Sequence, residues 1–149
     1  MSLVQLLFGF EGRIRRLTWW LAHLGVVGAM LVGWMIVAGI VGVTAATSGF
    51  TAASVGSSLD GAKVGMITVM ALAAVATVGL ELWIGIALAV KRCHDRNYPG
   101  AMAMLMFIPG VGALWALVDL GFIDGTPGRN RFGPSPKTID PMTARSYAI

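Results

Sequence analysis

Residues 17–43, LTWWLAHLGVVGAMLVGWMIVAGIVGV, run for 27 positions without a formal charge. At helical rise that stretch reaches about 40 Å, more than the ~30 Å hydrocarbon core of a bilayer. Trp19 and Trp20 stand at its start, where aromatic side chains form belts at headgroup level. Residues 64–90, VGMITVMALAAVATVGLELWIGIALAV, form a second stretch of 27, interrupted only by Glu81. Two such stretches decide the class, and the composition of the 149-residue chain agrees with them. Only 12% of residues are charged, against about 25% in a soluble domain. Apolar residues make up 56% and mean hydropathy is +0.78. A soluble globule and a charge-rich disordered chain are both excluded. The single cysteine excludes a disulfide framework and any four-cysteine metal site.

Around the two spans the chain divides into three regions. Residues 1–16 begin with MSLVQLLFGF, too short to cross, and read as an interfacial N-terminal helix with Leu3, Leu6, Leu7 and Phe10 on its apolar side. No basic segment precedes these residues, which does not fit a cleaved signal peptide. Residues 17–123 are the transmembrane domain, with a Ser-, Thr- and Gly-rich loop at 44–63. Residues 124–149, with four prolines, read as an extended polar tail. The expected fold is therefore an all-α integral membrane protein with two long transmembrane helices and a third apolar segment, residues 101–123, broken by Pro109-Gly110.

Basic residues test whether the third segment crosses. If it does, with the N-terminus cytoplasmic, six Lys and Arg fall inside and five outside, hardly a bias. If it re-enters and returns, ten fall inside and only Lys63 outside. The re-entrant hairpin is the favoured reading and a third span the alternative. The excess of basic residues, 11 Lys and Arg against 7 Asp and Glu, then faces anionic headgroups. It makes no aromatic-interleaved stripe of the kind nucleic acid requires.

Three polar blocks flank these spans. They are Phe10-Glu11-Gly12-Arg13-Ile14-Arg15-Arg16-Leu17-Thr18-Trp19-Trp20, then Lys91-Arg92-Cys93-His94-Asp95-Arg96-Asn97-Tyr98-Pro99-Gly100 with Phe107-Ile108-Pro109-Gly110-Val111-Gly112, and finally Gly125-Thr126-Pro127-Gly128-Arg129-Asn130-Arg131-Phe132-Gly133-Pro134-Ser135-Pro136. Their order and spacing resemble a family of small bacterial inner-membrane proteins, domain of unknown function 805, over nearly the whole chain. Where the family has Ser-Gly-Trp after its His-Asp pair, this sequence has Tyr98-Pro99-Gly100-Ala101. The resemblance implies a multi-pass protein of the bacterial inner membrane and no particular activity.

The residues themselves allow several chemistries. Arg13, Arg15 and Arg16 can fork onto lipid phosphates, or simply orient the first span. Arg92, His94 and Asp95, with Arg129, Asn130 and Arg131 of the tail, can tie the polar blocks into one hydrogen-bonded layer at the cytoplasmic face. In that layer Asn130 caps helix ends, and Phe132 inserts at the interface. His94 beside Asp95 also suits acid–base work on a lipid headgroup, but no activated nucleophile accompanies them. His23 and His94 with one cysteine are too few for a zinc site, and no metal or other cofactor is expected. Gly25, Ala29 and Gly33 form an i, i+4, i+8 ladder suited to close helix packing. Glu81 is an ionisable group inside a span, a functional candidate by default, on a small-residue stripe with Ala73, Thr77, Gly85 and Ala89 that is expected to pack against protein.

The expected function is a non-catalytic accessory or scaffold subunit of a larger membrane complex, or a homo-oligomer that organises lipids. Anionic lipids and an integral-membrane partner or a second copy are the expected partners, and nucleic acid is not. The alternatives are a small transporter or channel component using Glu81, and a headgroup enzyme using His94 and Asp95.

Overall fold

The computed structural model describes residues 1–48 and 61–137. The middle of the expected loop, residues 49–60, and residues 138–149 of the expected tail lie outside the described residues, as does the side chain of Lys63. The elements are α1 (Leu3–Phe8), α2 (Arg16–Ser48), α3 (Gly61–Asp95), a 3-10 helix (Gly100–Phe107), α4 (Val111–Trp115) and a π-helical segment (Ala116–Phe122). No strand occurs among the described residues. The chain divides into two compact units, Met1–Leu24 with Leu82–Ile149, and Gly25–Glu81.

In the unit Gly25–Glu81, α2 and α3 are apolar on all sides. Leu31, Met35, Ile36, Ile40, Val69, Leu72 and Val75 are all exposed, the pattern of a helix solvated by lipid rather than one facing a core. The hydroxyls of Thr68 and Thr77 donate back to the Val64 and Ala73 carbonyls, at 2.9 and 2.7 Å. This satisfies polar groups that hydrocarbon cannot. The stretches Arg16–Thr44 and Val64–Asp95 are long and apolar enough to cross a membrane. The Gly25–Ala29–Gly33 ladder is exposed, and a Cβ at Gly25 or Gly33 would meet nothing within 4 Å. Glu81 is exposed as well; among the described residues of this unit, α2 and α3 are the helices.

The unit Met1–Leu24 with Leu82–Ile149 holds the buried core. At the end of α3, Ile84, Ala87, Leu88, Lys91, Arg92 and Asp95 are buried together. Their spacing of i, i+3, i+4, i+7, i+8 and i+11 marks one helix face, which is apolar at first and ionic at its end. The helix stops in a left-handed cap. Asn97 has φ 62°, the Tyr98 amide donates to the Cys93 carbonyl at 2.8 Å, and the Asn97 amide donates to that of His94 at 3.0 Å. This pairing ends helices at a residue tolerant of positive φ, and Pro99 prevents resumption.

Residues 100–122 then go out and return. The 3-10 helix reaches about 16 Å at its steeper rise. The return through α4 and the π-helical segment reaches about 18 Å at α-helical rise. Each arm is roughly half of a ~30 Å hydrocarbon core. The arms meet past Pro109-Gly110, where a Cβ on Gly112 would overlap the Leu105 carbonyl. The amide of Thr126 donates to the Asp95 carbonyl at 2.8 Å, so the segment ends where it began. It is a hairpin, not one continuous helix. Its 3-10 and π winding differ from the plain helix that an apolar run suggests. At the N-terminus, Ser2 caps α1 through a reciprocal box with Gln5, at 3.2 and 3.0 Å.

Candidate functional site

Helix C-termini leave carbonyl oxygens without intrahelical partners. In the unit Met1–Leu24 with Leu82–Ile149, three such ends are met by cations or amides from distant segments. Lys91 donates to Gln5 O of α1 at 2.9 Å and also to Leu6 O. Arg92 donates through Nε to Leu120 O at 2.7 Å and through a terminal nitrogen to Ile123 O, at the end of the π-helical segment. Arg16 takes Phe122 O at 3.2 Å, and Trp20 Nε1 takes Gly121 O at 3.1 Å. At the end of α3, Asn130 Nδ2 donates to His94 O at 2.8 Å, and the Thr126 hydroxyl donates to Asp95 O at 3.0 Å. Positive charge at these carbonyls also complements the helix dipole.

Asp95 is the hub. One carboxylate oxygen accepts from Arg13, with Nε at 3.1 Å and a terminal nitrogen at 3.0 Å; the other accepts from Arg92. Asp95 is 3% exposed, Arg13 6%, Arg92 and Lys91 0%. Two guanidiniums therefore share one carboxylate away from water, a costly arrangement unless further acceptors compensate. Backbone carbonyls supply them. Arg13 donates to Gly128 O at 2.9 Å, Gly133 O at 3.0 Å and Thr126 O at 2.7 Å, so all five of its N–H groups are satisfied internally. The guanidiniums of Arg13 and Arg92 are thus engaged within the protein rather than turned toward a lipid phosphate. Gly125 is what allows the tail so close, since a Cβ there would overlap the Asp95 carboxylate.

The remaining residues form a shell. The His94 ring stacks on Phe132, with centroids 3.9 Å apart and planes 11° apart, and its Nδ1 is 3.3 Å from Gly12 O. Phe132 thus lies against histidine instead of inserting at the interface as its sequence context suggests. Asn130 also accepts from the Phe132 amide at 2.9 Å, which closes the tail turn. Arg131 is exposed, lies over the Phe132 ring at 4.7 Å and donates to Asn97 O at 3.0 Å. Arg15 is exposed and donates to Pro136 O; Arg129 is exposed. Asp124, fully exposed, takes Lys137 at 2.7 Å and Arg16 at 3.2 Å. The Lys137 hydrogen bond, with the charge of Arg16, holds its carboxyl below the ordinary range. Arg96 pairs with Asp119 at 2.9 Å. Burial works against its charge, but the hydrogen bond and charge of Asp119 outweigh this and raise its pKa.

The structure therefore brings Arg13, Arg92, His94, Asp95 and Asn130 together and leaves Arg15, Arg129 and Arg131 on the surface. Lys91, Thr126 and the Arg96–Asp119 pair are part of the site without having been singled out by sequence. An aspartate within the apolar 101–123 run was a signal for the last of these. Cys93 is buried. No group of three or more His, Cys, Asp or Glu side chains suited to a metal ion occurs among the described residues.

The matched region of a known family takes in the residues of all three polar blocks up to Pro134. The family model described as "Protein of unknown function (DUF805)" matches residues 7–134. The chain belongs to this family. Among its relatives, "Inner membrane protein YhaI" of Escherichia coli K12 is 46% identical over 52 residues, covering 35% of this chain and 43% of that protein. "Inner membrane protein YhaH" of the same strain is 43% identical over 51 residues, 34% of this chain and 41% of that protein. The chain thus matches about two-fifths of the length of each. "Uncharacterized protein YiiR", also of that strain, is 27% identical over 163 aligned positions, 93% of both chains. No solved structure matches. This is a membrane protein of a DUF805 family whose relatives include named inner-membrane proteins.

Proposed function

We propose that this DUF805 protein is a non-catalytic, multi-pass protein of the bacterial inner membrane that serves as an accessory or scaffold subunit, or as a lipid-organising homo-oligomer. One observation carries the reading. The polar groups at and beside Asp95 are consumed in joining four chain segments, while the parts of the two long helices within Gly25–Glu81 keep their large apolar side chains exposed. A carbonyl-saturated arginine suits a clamp better than a substrate site, and a bare small-residue ladder suits a neighbouring helix. The hairpin keeps residues 1–16 and 126–137 at the same polar cluster, which supports placing both on the cytoplasmic side. There the outward Arg15, Arg129 and Arg131 face anionic headgroups.

Native extraction in mild detergent, followed by mass spectrometry of proteins and lipids, tests the reading. A stoichiometric membrane partner, or a homo-oligomer with retained anionic lipid, is expected; a lipid-free monomer overturns it. Reporters fused at the two termini are expected to report the cytoplasm, and periplasmic activity after Ile149 would refute the topology. His94→Ala separates a clamp from a headgroup enzyme. A clamp loses stability, whereas an enzyme keeps its fold and loses turnover.

A further inference from the structure

Glu81 takes no part in the cluster at Asp95. It lies near the midpoint of the apolar stretch Val64–Asp95, exposed, on a recess of about 340 Å³. Met30, Leu31 and Trp34 of α2 and Ala74 and Thr77 of α3 line this recess. No lining residue other than Glu81 is titratable or charged. The Thr77 hydroxyl is already committed to the Ala73 carbonyl at 2.7 Å. A carboxyl group in such a wall is costly and marks function by default. Its complement is a positive charge that itself tolerates hydrocarbon.

The lining selects among cations. Magnesium and calcium take about six or more oxygen ligands, and the recess offers one carboxylate. An organic cation needs only one counter-charge, apolar walls and an aromatic face. Trp34 supplies the face, and Met30 adds an adaptable, polarisable contact. The volume lies at the small end of the roughly 300–1,000 Å³ typical of ligand pockets, which limits the ligand to a compact one. We propose that the recess between α2 and α3 is a binding site for a compact lipophilic monocation, with Glu81 as its counter-ion. In the bound state the cation and the Glu81 carboxylate form an ion pair within the recess. The site stands on the recess alone and does not depend on an accessory role.

Calorimetric titration of the full-length protein in detergent with tetraphenylphosphonium tests the proposal. Saturable one-to-one binding is expected. Glu81→Gln is expected to lose at least tenfold in affinity, and Glu81→Asp to retain most of it. Tetraphenylborate, of the same shape and opposite charge, is expected not to saturate. Equal binding by Glu81→Gln, equal binding of tetraphenylborate, or unsaturable uptake by the wild type overturns the proposal. So does a membrane partner that is lost on Glu81→Gln in a protein without saturable cation binding, which would assign the carboxylate to a helix contact. Both variants are taken forward only with an unchanged unfolding midpoint.

Discussion

Replacing Asp95 by Asn keeps the size of the hub and removes its charge. The carboxylate serves Arg13 with one oxygen and Arg92 with the other. An amide offers one oxygen and one NH2. In either orientation, one guanidinium then faces a donor, and both lose their only carboxylate at under 10% exposure. Removing one partner from a buried ion pair costs about 3–5 kcal/mol. Arg13 retains three carbonyls and Arg92 two, so the cost stays within that range despite two stranded cations. At about 1.4 kcal/mol per factor of ten, the unfolding constant rises roughly a hundredfold to a few thousandfold. Unfolding with SDS in mixed micelles, followed by tryptophan fluorescence, reads this directly, because Trp20 is tied to Gly121 beside the cluster. Adding Arg92→Met to Asp95→Asn is expected to cost less than Arg92→Met costs alone, since the double variant removes a charge already stranded. An Asp95→Asn midpoint within roughly 0.5 kcal/mol of wild type, the scale of an ordinary surface change, would refute the hub.

Gly125→Ala pushes a methyl group into the Asp95 carboxylate and is expected to destabilise by about 1–3 kcal/mol, as overpacking does; the same titration reads it. Lys91→Met removes both bonds to the last carbonyls of α1, so hydrogen exchange should rise across residues 3–8 while α2 and α3 keep their protection. A Cβ at Gly25 or Gly33 meets nothing within 4 Å; in Gly25→Ala with Gly33→Ala the unfolding midpoint should stay fixed while any oligomer seen in native mass spectrometry weakens. Asp124 is held below its ordinary value of 3.8 by the Lys137 hydrogen bond. Its contribution to stability is therefore complete above about pH 4 and lost as pH falls through the depressed value. The slope of stability against pH in that window should flatten in Asp124→Asn, and the effect should shrink with salt because the pair is exposed.

The spans were legible because length without charge is a direct physical requirement for crossing hydrocarbon, and α2 and α3 each meet it. The return of residues 100–122 was legible less directly, through the imbalance of Lys and Arg and the Pro109-Gly110 break. Its 3-10 and π winding was not, because no periodicity distinguishes them over so few residues. In the site, His94 and Asp95 drew notice as neighbours, yet they act separately. Asp95 reaches Arg13, 82 positions away in sequence, and His94 stacks on Phe132. Lys91 was hidden by a sufficient alternative account, since a lysine at a span end already has a role in orientation. Thr126 and Gly125 were hidden because their importance lies in how closely the tail approaches, which no residue type declares. The ladder at Gly25 and Glu81 are exposed in this chain, and what would cover them is not written in one sequence.

The Arg13 cage has a consequence for the order of synthesis. Its acceptors are carried by residues 95, 126, 128 and 133, so the donors of this guanidinium are all met only once a residue 120 positions further along the chain has been made. Until then Arg13 and Arg92 share a single carboxylate, with the three carbonyl partners of Arg13 still unmade. A chain that stops before residue 126 cannot close the cage and displays concentrated positive charge where the finished protein is sealed. Closure of the cage is thereby tied to residues 126–133, and a product that ends before them leaves donors of a buried guanidinium unmet.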